Sequence, residues 1–151
     1  MHMSRDRIEK SIILRAPLAR VWRALTEVDE FNAWFRVALQ GRFEVGQAIR
    51  GKITHAGYEH VTMEVVVERI DAPHHFAFRW HPYAIDPAID YGAEPSTLVE
   101  FELQEVPEGT QLRVVESGFD RLPAHRRDEA FRMNDGGWQA QLENIGRHVT
   151  G

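Results

Sequence analysis

Between Gly41 and Gly118 the chain has no helical period; short apolar runs bounded by turn residues follow one another, as an antiparallel meander requires. Five or six strands are predicted there, at residues 39–45, 48–55, 60–70, 75–80, 97–106 and 110–118. Within 97–106, Val99, Phe101 and Leu103 alternate with Glu100, Glu102 and Gln104, giving one buried and one wet face. Pro107-Glu108-Gly109 then turns the chain into Leu112 and Val114, so these two runs form a hairpin.

The ends of the chain behave differently. Residues 8–14 carry β-branched residues and read as a strand that stops at Ala16-Pro17, where proline suits the first turn of a helix because its missing N–H would have no partner there. Leu18, Val21, Trp22 and Leu25 follow at i, i+3, i+4 and i+7, with Arg20 and Arg23 opposite. Asp29 is the expected N-cap of a second short helix that places Phe31, Trp34 and Phe35 on one face. Near the C-terminus, Phe131, Trp138, Leu142, Ile145 and Val149 lie near one helical stripe, interrupted by Asn134-Asp135-Gly136-Gly137. Two glycines inside a continuous helix cost about 2 kcal/mol relative to alanine, so a break or close packing is expected there. The segment 82–95, with three prolines and no alternation, reads as a long loop and the best place for function.

Composition narrows the chemistry. The 151 residues suit one domain, 1–151, with a single core. A net charge of −5 argues against a sequence-independent nucleic-acid binder. The absence of cysteine removes thiolate catalysis, disulfides and Cys-ligated metals. Residues 1–10 carry charges where a signal peptide would be apolar, and no apolar run approaches the ~18 residues of a membrane span. A cytoplasmic location is the expectation.

The order of elements, a strand, two short helices, a meander and a long helix, resembles the α+β helix-grip fold, also called START-like or Bet v 1-like. The likeness becomes specific in Ala16-Pro17-x-x-x-Val21-Trp22-x-Ala24-Leu25-Thr26, Phe31-x-x-Trp34-Phe35, the spacing of Gly41, Gly46 and Gly51, Val99-Glu100-Phe101, and Gly137-Trp138-x-x-x-Leu142-x-x-Ile145. From Ile8 to Val149 the chain resembles the family of homologues of the activator of heat-shock-protein-90 ATPase, within the SRPBCC superfamily. The resemblance implies a curved antiparallel sheet, a long helix across its concave face, two short helices closing one end and an internal cavity. It also brings an association with the stress response, since the family is named after the C-terminal domain of a eukaryotic co-chaperone.

Phe31, Trp34, Phe35, Phe76, Phe78, Trp80, Phe101, Phe131 and Trp138 are candidates to line an apolar pocket; the competing reading is that they fill the core. His81, beside Trp80 and before the loop, is the candidate polar group at the pocket mouth. Glu116 shares the inward strand face of Leu112 and Val114, so it should either pair with an arginine such as Arg79 or face a wet cavity as a ligand contact. Asp86, Asp90 and Glu94 are expected to be solvated, as are Arg126, Arg127 and Arg132. The eight histidines have no metal-site spacing, and no phosphate loop, dinucleotide fingerprint or nucleophile elbow occurs. No metal, cofactor or catalytic constellation is therefore expected.

The sequence favours a module that binds a small hydrophobic molecule between the last helix and the sheet. A polyketide cyclase or aromatase-like enzyme and a chaperone-interacting module are the alternatives. A homodimer stays open, and neither nucleic acid nor membrane insertion is expected.

Overall fold

The computed structural model describes residues 6–86 and 88–150; residues 1–5 of the charged N-terminus, Pro87 of the loop and Gly151 lie outside them. The chain runs β1 (Arg7–Leu14), α1 (Leu18–Thr26), α2 (Val28–Phe35), β2 (Val37–Gln40), β3 (Ala48–Ile53), β4 (Thr62–Asp71), β5 (His75–Trp80), β6 (Thr97–Val106), β7 (Gly109–Ser117) and α3 (Ala124–Thr150). Every strand pair is antiparallel, in the order β1-β7-β6-β5-β4-β3-β2. This is the α+β helix-grip arrangement, a curved sheet with α3 packed along it.

Alternation decides which way each strand faces. Met63, Val65 and Val67 of β4, Val99, Phe101 and Leu103 of β6, and Leu112 and Val114 of β7 point into the core, while their neighbours face outward. The β6–β7 hairpin pairs Phe101 with Val114 and Leu103 with Leu112, so the hairpin read from the alternation is present in register. Gly51 is required where β3 meets β2, because a Cβ there would sit 2.0 Å from the Ala38 carbonyl oxygen.

Three local expectations are corrected. The first meander strand is Val37–Gln40 rather than 39–45, because Gly41 and Gly46 take positive φ (118° and 82°) and turn the chain out of the ladder. The N-cap of α2 is Glu27, with Asp29 inside the first turn, where its charge favours the helix dipole. Helix α3 runs unbroken through Gly136-Gly137, and a Cβ at either would meet nothing within 4 Å. Neither a break nor close packing compensates the two glycines.

Helix α3 buries Ala130, Trp138, Leu142, Ile145 and Val149, and at Gly146 it lies against Leu14 and Ile12 of β1. Glu30 joins the three helices: it accepts from Arg20 and Arg23 of α1 and bonds His148 of α3 at 3.0 Å. Burial works against its charge, but the bonds from Arg20 and His148 hold the carboxyl below its ordinary range.

Candidate functional site

The most apolar aromatics pack on one another. Phe31 stacks on Phe35 at 4.9 Å between ring centroids and meets Trp34, Phe43 and Phe78 edge-on. Phe78 and Phe101 are in contact at 5.9 Å, and Trp138 stands edge-on to Phe101 at 5.7 Å. Trp34 spends its indole N–H on the Ala24 carbonyl at 2.8 Å, tying α2 to α1. Phe131 is half-buried at the other end of α3, edge-on to Phe119.

Glu116 lies at the centre of this cluster, fully buried. Among the described residues it has no arginine partner, and Arg79 pairs with Glu68 on the outer face. Four neutral side chains donate to it instead: Trp80 Nε1 at 2.7 Å, Trp138 Nε1 at 2.8 Å, Thr97 Oγ1 at 2.5 Å and Asn134 Nδ2 at 2.9 Å. Burial pushes the carboxyl above its ordinary value, and the four donors oppose that. The two indoles so anchored stack at 5.6 Å, so Glu116 fixes the orientation of Trp80 and Trp138.

Trp80 also faces open space. A cavity of about 570 Å³ lies between α3, the β3–β4 end of the sheet and the 82–95 loop. Of the residues proposed from sequence, Phe35, Trp80 and His81 are on its wall; Phe31, Trp34, Phe76, Phe78, Phe101, Glu116, Phe131 and Trp138 are not. The loop expected to carry function supplies Tyr83, Ile85 and Tyr91, and further wall comes from residues not proposed as pocket lining: Tyr58, Ile53, Met63 and, from α3, Met133, Gly137, Ala140, Gln141 and Asn144. The α3 set recurs at i, i+4, i+7, i+8 and i+11, a second stripe beside the buried one, and at its centre are small residues.

One buried cation holds the loop against the helix. Arg126, expected on the solvated side of α3, is 8% exposed. Its Nε bonds Glu94 at 2.9 Å, its other nitrogens donate to the Pro82 and Tyr83 carbonyls at 2.8 and 3.2 Å, and its guanidinium lies 4.6 Å from the Tyr91 ring centroid. Glu94 is correspondingly shielded rather than solvated, while Asp86 and Asp90 are exposed and bond only nearby backbone N–H groups. Loop carbonyls need partners when buried, and an arginine fork supplies several donors at once. His81 is tied to the same segment, its Nε2 lying 3.1 Å from the Glu94 carbonyl oxygen. Burial raises the Tyr83 phenol above its ordinary value, so it is neutral at physiological pH.

The wall also collects backbone strain. Among the described residues only two non-glycines have positive φ, Arg36 at 68° and Tyr83 at 50°, and both line this cavity. No three His, Asp or Glu side chains among the described residues come together as a metal site would need. No described helix is long and apolar enough to cross a membrane.

A curved seven-stranded sheet gripping one long helix defines the chain as a helix-grip protein of the SRPBCC type. It belongs to the family described as activator of Hsp90 ATPase homolog 1-like protein, whose sequence profile matches residues 15–150. Protein MLL2253 from Mesorhizobium loti has the same fold at 22% identity and a TM-score of 0.75, over 95% of this chain and 96% of that one. DynU16, from the dynemicin biosynthetic locus, matches at 21% identity and a TM-score of 0.75; the alignment covers 96% of this chain and 47% of DynU16. CalU16 from Micromonospora echinospora matches at 21% identity and a TM-score of 0.62, over 95% and 74% of the two chains. No curated protein matches significantly.

Proposed function

We propose that the chain binds a small, largely apolar molecule in the cavity walled by Trp80, Tyr83, Tyr91 and the Gly137 face of α3. The observation that carries this reading is that departures from best local stability gather on one wall. Arg36 and Tyr83 hold a backbone conformation that non-glycine residues disfavour, and Gly137 leaves a helix interior without its side chain. Such concentrations occur where a site is shaped for a ligand. The volume of about 570 Å³ is of the size that holds a drug-sized molecule.

The test is titration with N-phenyl-1-naphthylamine, a neutral flat fluorophore. Saturable binding at one site per chain, with a Kd of about 1 to 100 μM, is expected, and Tyr83→Ala should weaken it. Absence of saturation, or wild-type affinity in both Tyr83→Ala and Trp80→Ala, would refute the reading.

A cyclase-like enzyme is the second reading, favoured by the likeness to DynU16 of a biosynthetic locus. The wall offers it His55, His81, Glu64 and three tyrosines as proton-transfer groups. Turnover of a bound polyketide mimic, lost on replacing one of these without loss of binding, would select it.

A further inference from the structure

We infer that the ligand of this cavity carries a carboxylate, received by Arg36 at the end where α2 meets α3; this rests on the cavity being a binding site.

Arg36 occupies the position after α2 at which the backbone turns left-handed, where glycine is the favoured residue. The backbone there is fixed from both sides: its N–H donates to the Asn32 carbonyl at 3.0 Å and its carbonyl accepts from the Thr54 N–H at 2.9 Å. The exposed Arg36 side chain therefore starts from a fixed backbone position and lines the wall. Its guanidinium has no carboxylate partner among the described residues; its polar neighbour is His55 Nδ1 at 3.4 Å. Two nearby acids are already matched. Glu64, on the same wall, accepts from Arg50, and Glu30 is held by Arg20, Arg23 and His148.

A second observation lies next to the first. A smaller cleft of about 250 Å³ adjoins the cavity, lined by Ala33, Trp34, Arg36, Asn144, Arg147 and His148, with no acidic side chain on it. Arg36 and Asn144 belong to both, so the apolar cavity is continuous with a shallow, open cleft that carries two exposed arginines. Arg147 likewise lacks a carboxylate partner and donates to Asn144 Oδ1. The C-terminal turns of α2 and α3 end here and contribute about half a negative charge each, less than the two guanidinium groups supply. A planar carboxylate matches an arginine fork with two parallel hydrogen bonds.

The test uses two probes that share one body: 1-anilinonaphthalene-8-sulfonate, an anion, and neutral N-phenyl-1-naphthylamine. Arg36→Gly relieves the backbone and removes the charge, so the variant should melt no lower than the wild type. It should bind the sulfonate about tenfold more weakly and the neutral probe within about twofold. Raising salt from about 50 to about 500 mM should weaken sulfonate binding to the wild type more than to Arg36→Gly, which keeps Arg147. An aromatic carboxylate such as 2-naphthoate should compete with the sulfonate in the wild type and not in the variant. If Arg36→Gly changes both probes equally, or neither, the carboxylate assignment is overturned while the cavity reading stands. If neither probe binds the wild type, the cavity reading falls and takes this inference with it.

Discussion

Replacing Gly137 by alanine separates what the helix wants from what the cavity wants. Gly137 lies well inside the 27-residue helix α3, has ordinary helical geometry, and a Cβ added there meets nothing within 4 Å. There is no steric cost, so the helix gains the difference in propensity between the two residues, about 1 kcal/mol. For a chain of this size that corresponds to a rise in Tm of about 2 to 4 °C. The new methyl projects into the space where the ligand is proposed to lie, and one methyl in a shaped pocket is worth about 1 to 3 kcal/mol of binding. Gly137→Ala should therefore raise Tm and weaken N-phenyl-1-naphthylamine binding by about tenfold. Gly136 has the same open surroundings but is not on the wall, so Gly136→Ala should raise Tm equally and leave affinity unchanged. Differential scanning calorimetry and fluorescence titration read the two quantities on the same samples. Loss of stability in Gly137→Ala, or identical affinity in both variants, would refute the reasoning.

Arg126→Met should free the 82–95 loop, because it leaves a shielded Glu94 carboxylate and two carbonyls without their donor. Breaking such a pair costs about 3 to 5 kcal/mol, and amide exchange at Tyr83 and Tyr91 should accelerate; unchanged exchange would contradict the clamp. Trp138→Ala removes a buried indole that both packs on Phe101 and donates to Glu116, and should cost about 3 to 5 kcal/mol by denaturant unfolding, with a loss under about 1 kcal/mol counting against it. The buried Glu116 carboxyl holds its proton more tightly in the folded than in the unfolded chain, so its contribution is full below the ordinary carboxylate range and is lost as pH rises through the raised value. The stability of the wild type relative to Glu116→Gln should consequently fall as pH rises above the ordinary carboxylate range; a flat or rising difference would refute it.

The fold was legible because its signals are local. The alternation in 97–106 and the stripe from Leu18 to Leu25 report burial by period alone, and both elements form where those periods place them. The cavity was less legible, for the same physical reason that made the core readable. Phe31, Phe78 and Phe101 are the side chains with most to gain from leaving water, so the protein packs them against each other and leaves none for the wall. Beside Phe35 and Trp80, much of the wall falls to residues that tolerate both surroundings, such as Tyr58, Tyr83, Tyr91 and Met133, and to the small residues Gly137 and Ala140, which leave space. A signal was available in Gly137 and Ala140 at helical spacing beside the buried stripe, since unexplained glycine in a helix marks room needed for something else. Arg126 was not legible because an arginine in a charged run looks solvated, and its buried partners, Glu94 and two loop carbonyls, are brought to it by the fold, which no sequence pattern reveals.

Amide chemical shifts followed by two-dimensional NMR during titration with N-phenyl-1-naphthylamine test the central claim most directly. The account predicts saturable changes concentrated at Gly137, Ala140, Tyr83, Tyr91 and the Trp80 indole, with little change at Ile13 and Val66 on the outer face of the sheet. Changes confined to that outer face, or none that saturate, would contradict it.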